Sequence, residues 1–177
     1  GVQVGTINAG VLAKQRAWEA CGLALTPLPQ AQREGNGAVF LTGNGGEFPN
    51  LNAFAALTSD GSIISWGDPS KGGRGAQTGS GYTELFSNSN AFAALRYDGS
   101  IASWGDPYSG GIGAPQGTGF RRIFSTKTAF AALKNDGSIV SWGNPESGGA
   151  GAPAGSGFVE IFSNLNAFTA LRADGSV

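Results

Sequence analysis

The chain repeats itself every 38 residues, and that period constrains its fold more than any single residue does. Trp66, Trp104 and Trp142 stand one period apart, as do Phe54, Phe92, Phe130 and Phe168, and also Phe48, Phe86, Phe124 and Phe162. Copies begin near Glu47, Leu85, Ile123 and Ile161, giving three complete units and a fourth that stops at Val177, where its Trp-bearing strand should begin. A unit this small cannot bury both its faces alone, so neighbouring copies must pack on one another.

Three extended segments are legible inside a unit. Residues 121–125 and 129–133 read as strands, and 138–142 is a third, rich in β-branched and aromatic side chains. Asn135-Asp136-Gly137-Ser138 joins the second to the third and predicts a tight two-residue turn, because glycine takes the positive φ that such turns require. Neighbouring apolar residues such as Ile123 and Phe124 point to opposite faces of a strand, which predicts sheets stacked on sheets rather than one sheet facing water. After each Trp-Gly runs a long irregular stretch, 68–81 in the first copy, whose recurrence favours a connector across a sheet edge over a ligand loop. The 31 glycines, well over twice the ordinary ~7% share, fall largely in these turns and connectors and do not mark a disordered chain.

Residues 1–46 join the repeat poorly and form a separate N-terminal segment, with 47–177 as the repeat region. Asn8 could cap a helix over 11–24, although Gly10 and Gly22 weaken that helix. Alternatively the segment is a worn repeat, since 17–21 lies 36 residues ahead of 53–57 and 37–43 resembles the Gly-Ser-Ile-Ile-Ser-Trp-Gly strand. With Gly1 first and no Met, the chain reads as a processed or cut-down product.

Composition excludes several chemistries. The absence of histidine removes Ser-His-Asp triads, Cys-His pairs and imidazole metal ligands, and lone Cys21 can form neither an internal disulfide nor a thiolate cluster. Asp60, Asp98, Asp136 and Asp174 belong to the Asp-Gly turns, and Asp68 and Asp106 follow Trp-Gly, with Asn144 in the third copy. These acids lack the dense spacing of a calcium loop, so no metal and no cofactor are expected. Glu84, Arg122 and Glu160 share one repeat position and do not make the close carboxylate pair of a glycosidase, so no catalytic residue is assigned. The 11 basic and 12 acidic residues are scattered, net −1, which argues against a nucleic-acid partner. No apolar run approaches the ~18 residues of a membrane span, and no secretory leader is visible.

The candidate ligand-binding residues are Trp66, Trp104, Trp142, Lys71, Arg74, Tyr97 and Tyr108. Exposed indoles stack on sugars or anchor protein partners, but the strict place of the three Trp residues beside Gly favours a core role. Lys71, Arg74, Tyr97 and Tyr108 differ from their counterparts in other copies, and such positions suit specific contacts better than repeated ones.

Ala94-Leu95, Asp98-Gly99-Ser100-Ile101 and Trp104-Gly105, with their counterparts from Ala56 to Gly67 and from Ala132 to Gly143, resemble the repeat of the regulator of chromosome condensation family. In unit length they are closer to the compact three-stranded version of the bacterial β-lactamase inhibitory proteins in that superfamily. The resemblance covers about 47–177. It implies an all-β fold, a propeller of three-stranded blades, normally seven in roughly 266 residues, so this chain would be a partial propeller or one completed by other chains. Two features depart from the family: Ser89-Asn90-Ala91-Phe92 stands where a Gly and a His usually precede the Ala-Leu strand, and Pro69-Ser70-Lys71-Gly72-Gly73 replaces Gly-Gln-Leu-Gly. The functional expectation is a non-enzymatic binding or adhesion module of a larger secreted or cell-surface bacterial protein, taking a protein or glycan ligand. The alternatives are a self-assembly unit that pairs through exposed strand edges and, more remotely, a carboxylate-based carbohydrate-active enzyme.

Overall fold

The computed structural model describes residues 48–177, and the expectations for 1–46, a helix over 11–24 or a worn repeat, lie outside the described residues. Ten strands make four antiparallel sheets there, and each sheet is one repeat unit, or blade. Blade 1 pairs β1 (Ala53–Leu57) with β2 (Ile63–Gly67). Blade 2 holds β3 (Tyr82–Ser87), β4 (Ala91–Arg96) and β5 (Ile101–Gly105), and blade 3 holds β6 (Phe120–Ser125), β7 (Ala129–Lys134) and β8 (Ile139–Gly143). Blade 4 pairs β9 (Phe158–Ser163) with β10 (Phe168–Arg172). The fold is all-β, a partial propeller-like series of three-stranded units.

Alternation along the middle strand builds two interfaces at once. Phe92 and Ala94 of β4 face back, into a core shared with Ala53, Ala55 and Leu57 of blade 1. Ala91, Ala93 and Leu95 of the same strand face forward, against Phe120, Ile123, Phe130 and Trp142 of blade 3. Successive strand residues point to opposite faces, so a strand apolar at every position buries both. The forward face is kept small by alanine, which leaves room for the Phe and Trp that the next blade sends back. Burial is complete at the centre: Phe130, Ala131, Ala132 and Leu133 are 0% exposed, and a Phe or Leu so buried contributes about 1.5–3 kcal/mol.

The Asp-Gly hairpin differs from the expected two-residue turn. In blade 2 the Gly99 N–H donates to Arg96 O (2.9 Å) and the Arg96 N–H to Ser100 O (2.9 Å), leaving a three-residue loop of Tyr97, Asp98 and Gly99. Gly99 has φ +77°, the left-handed position of a three-residue hairpin loop. The longer loop lets Asp98 Oδ1 accept from the N–H (2.8 Å) and Oγ (2.7 Å) of Ser100. Asp136 and Ser138 repeat the arrangement, as do Asp174 and Ser176.

The same loop touches the next blade. The Phe120 N–H donates to Gly99 O (3.1 Å) and the Phe158 N–H to Gly137 O (3.0 Å). At the other end of the blades a backbone chain runs from unit to unit: Leu51 N–H to Ser89 O (3.2 Å), Ser89 N–H to Lys127 O (3.1 Å) and Lys127 N–H to Leu165 O (3.0 Å). These four residues occupy one repeat position. Blades are thus clamped at both ends, with apolar stacking between.

Candidate functional site

The connector after each Trp-Gly opens with a single 3-10 turn: Pro69–Lys71, Pro107–Ser109 and Pro145–Ser147. Proline presets φ at its start, and the preceding Asp68 or Asn144 caps it, accepting from the N–H of Ser70 (2.8 Å) or Glu146 (2.9 Å). The turn ends on Gly72, Gly110 or Gly148, each at positive φ. The carbonyl of that glycine meets the next blade: Trp104 Nε1–H donates to Gly72 O and Trp142 Nε1–H to Gly110 O, both at 3.1 Å. Beside it a Cβ on Gly72 would lie 2.6 Å from the Phe92 ring. The connector therefore packs against the next blade, where the sequence led us to expect a connector across a sheet edge.

A second fastening closes each connector onto its own blade. Buried Asn88 accepts at Oδ1 from the N–H of Asn90 (3.1 Å) and Ala91 (2.9 Å) and donates through Nδ2 to Ser109 O (2.7 Å). Asn50 does the same with Lys71 O (2.7 Å). In blade 3 Thr126 substitutes, donating from Oγ1 to Ser147 O (2.8 Å) and accepting from the Ala129 N–H (3.1 Å).

The seven candidate residues do not converge. Trp104 and Trp142 are 3% and 5% exposed and lie in the inter-blade cores, stacked on Phe92 and Phe130 at 5.4 Å between centroids. Trp66 stacks on Phe54 at 5.6 Å and is half-buried. Lys71 is half-buried and pairs with Asp106 (3.9 Å). Arg74 and Tyr108 are exposed on the connectors, and Tyr97 is exposed on the hairpin loop at the opposite end of β5. A residue that sequence reasoning passed over joins the connector face: Ile112 is 65% exposed and occupies the repeat position of Arg74 and Ala150. Its signal was available, because an Ile facing an Arg and an Ala across copies breaks the repeat as clearly as Tyr108 does against Ser70 and Glu146.

The acidic groups are engaged by their own turns. The Ser100 backbone N–H, then its hydroxyl, hold the Asp98 carboxyl below the usual carboxylate value, and Ser138 and Ser176 do the same for Asp136 and Asp174. Asp60 is lowered chiefly by the Thr58 hydroxyl and Asp68 by the Ser70 hydroxyl. Arg122 pairs with Glu160 of the next blade at 2.7 Å, both partly exposed. Among the described residues no three Cys, Asp or Glu side chains cluster as a metal site would, and no helix is long and apolar enough to cross a membrane.

Cations also cap ring faces in a repeated pattern that the sequence reading did not find. Arg96 lies over Tyr82 (4.5 Å), Lys134 over Phe120 (4.9 Å) and Arg172 over Phe158 (4.3 Å). The signal is a ring and a cation 14 residues apart in three copies. Such contacts shield the first strand's leading ring from water.

One cavity, of about 320 Å³, opens between blades 3 and 4. Its lining includes Ala131, Ser141 and Gly148 together with Phe158, Phe168 and Ala170 of blade 4.

No protein-family model and no curated protein matches the chain. Solved structures do match it. The ectodomain of the receptor kinase CR4 from Physcomitrella patens superposes with a TM-score of 0.57 at 18% identity, covering 72% of this chain and 38% of that one. Human WBSCR16 aligns with a TM-score of 0.47 at 17% identity, covering 68% of this chain and 42% of that one. The chain thus spans less than half the length of either structure. The likeness to the receptor-kinase ectodomain, together with the antiparallel blades, shows a β-rich, propeller-like repeat fold.

Proposed function

We propose that the chain is a non-enzymatic binding module built of blades similar to those of the regulator of chromosome condensation family, and that the connector face holds its ligand. The observation that carries this reading is the division of labour among side chains. Residues that repeat are mostly consumed by packing, capping and turns, whereas three that differ between copies, Arg74, Tyr108 and Ile112, are exposed on the connectors. Tyr and Arg are the side chains most often found at the energetic centres of protein interfaces, so a protein ligand fits this face better than a glycan. A sugar platform needs an accessible ring face, and Trp104 and Trp142 are buried. Supporting an extracellular setting is the shared fold of a receptor-kinase ectodomain.

The test is a triple variant, Arg74→Ala with Tyr108→Ala and Ile112→Ala, screened beside the wild type on a glycan array and against a displayed-peptide library. Protein or peptide ligands that the triple variant loses, with its thermal unfolding unchanged, support the reading. Ligands that both proteins keep, or a hit confined to glycans, sink it.

A further inference from the structure

We infer that the connector face pairs with a second copy of this chain across a two-fold axis; the inference rests on the reading of that face as the ligand site and names its partner. The three connectors, 68–81, 106–119 and 144–157, lie side by side. Lys71 of the first reaches Asp106 of the second (3.9 Å), and Gly110 of the second packs against Gly143, just before the third begins. The second connector joins two complete blades. Tyr108 and Ile112, 60% and 65% exposed, are thus uncovered in the interior of the series and not at either end of it.

Two repeat positions on this face vary from copy to copy. One carries Ser70, Tyr108 and Glu146, the other Arg74, Ile112 and Ala150, and all six are exposed. The face therefore runs from a cation on the first connector, through two large apolar side chains on the second, to an anion on the third. Its other charges nearby are already engaged. Lys71 pairs with Asp106, and the Asp68 carboxylate accepts from the N–H and the hydroxyl of Ser70, both at 2.8 Å. Among the described residues Arg74 and Glu146 have no ion-pair partner.

A face with this order is its own complement. In a two-fold dimer each patch meets the same patch of the other copy. An axis running along the second connector lays that connector on its own copy, with Tyr108 and Ile112 at the centre, and lays the first connector on the partner's third. Each long charged side chain then faces a small one, Arg74 the partner's Ala150 and Glu146 the partner's Ser70. That leaves the Arg74 guanidinium room to reach the partner's Glu146, and the symmetry makes two such pairs, one on either side of the apolar centre. Buried central anchors supply most of the affinity of a protein interface, and complementary charges around them fix its register. With a net charge of −1 on each chain, two copies meet almost no long-range repulsion.

The test is sedimentation equilibrium of the full chain with charge-reversed variants at these exposed positions. The wild type should show a reversible monomer–dimer equilibrium that Tyr108→Ala with Ile112→Ala dissolves. Arg74→Glu or Glu146→Arg alone should raise the dimer Kd about tenfold or more, because either sets like charges together on both sides of the axis. Mixing the two single variants should restore a dimer, one chain of each, to within about threefold of the wild-type Kd, since both pairs are then opposite in sign. A variant that had simply misfolded would not be rescued by mixing. A chain monomeric up to about 1 mM, a dimer indifferent to these substitutions, or variants that stay apart when mixed overturn the proposal. A monomeric chain whose protein or peptide ligand is still lost in the triple variant of Arg74, Tyr108 and Ile112 overturns the second copy as partner and leaves the connector face as a binding site.

Discussion

At the scale of single residues, glycine decides how closely blades approach. Gly99 has φ +77°, and a Cβ there would sit 2.6 Å from Gly119 N, whereas Gly113, at φ +87°, faces open space. Both substitutions to Ala carry the left-handed penalty of ~1–2 kcal/mol, but only Gly99→Ala also forces two backbones apart. Chemical denaturation should rank Gly99→Ala well below Gly113→Ala, by a margin of about 2 kcal/mol or more. The turn aspartates give a second prediction at this scale. Asp98, Asp136 and Asp174 have carboxyls lowered by serine hydrogen bonds. A depressed folded value means that their stabilisation is present above the unfolded carboxyl pKa, about 3.9, and is lost as pH falls through the folded values. The triple Asp→Asn variant at these positions keeps an acceptor oxygen but cannot titrate there. Its urea midpoint should fall less steeply than the wild type's between about pH 5 and pH 2.

At the scale of the element, the blade is held by a few buried polar contacts whose replacements the repeat itself displays. Asn88 and Thr126 both bridge the turn before the middle strand to the connector, and both are 0% exposed. Asn88→Thr should therefore stay within about 1 kcal/mol of wild type, while Asn88→Ala, which strands the Ser109 carbonyl and the Ala91 N–H, should cost about 2 kcal/mol. Trp104 separates packing from hydrogen bonding in the same way. Trp104→Phe keeps a ring over Phe92 but loses the bond to Gly72 O, at about 1–2 kcal/mol for the lost donor plus a smaller cavity term. Unfolding midpoints of the two variant pairs check both statements. The Arg122–Glu160 pair between first strands is of another kind. It is partly solvent-screened, and Arg122→Ala should cost under about 1 kcal/mol.

At the scale of the whole molecule, stability is a series of neighbour contacts, and burial grades along it. β7 is buried at every position from Ala129 to Leu133, with blades on both faces, whereas no residue of β10 is fully buried. Native-state hydrogen exchange should show the β7 amides as the slowest of the described strands and the β10 amides among the fastest. Uniform protection across blades 2 to 4 would contradict this and show the described repeats unfolding as one unit.

The period, the three-strand unit and the sheet-on-sheet packing were legible in the sequence because each depends on side-chain alternation and on glycine and proline at fixed offsets. Phe92, Ala93 and Ala94 declare two buried faces without any tertiary knowledge. The sequence did not reveal which face meets which neighbour, nor that Trp104 reaches a carbonyl 32 residues earlier, because those contacts join residues from different copies. The hairpin was mistaken by one residue: Asp-Gly signals a turn, but its length is set by where Ser100 can return both hydrogen bonds to Asp98. Of the candidate site, the sequence picked out Arg74, Tyr108 and Tyr97 as irregular, yet only the folded chain separates the first two from the third by the length of β5. What the sequence determined is a repeating blade, since that follows from local pattern. What only the tertiary structure decided is which side chains the stacking consumes and which it leaves exposed, because burial belongs to pairs of blades and not to any one of them.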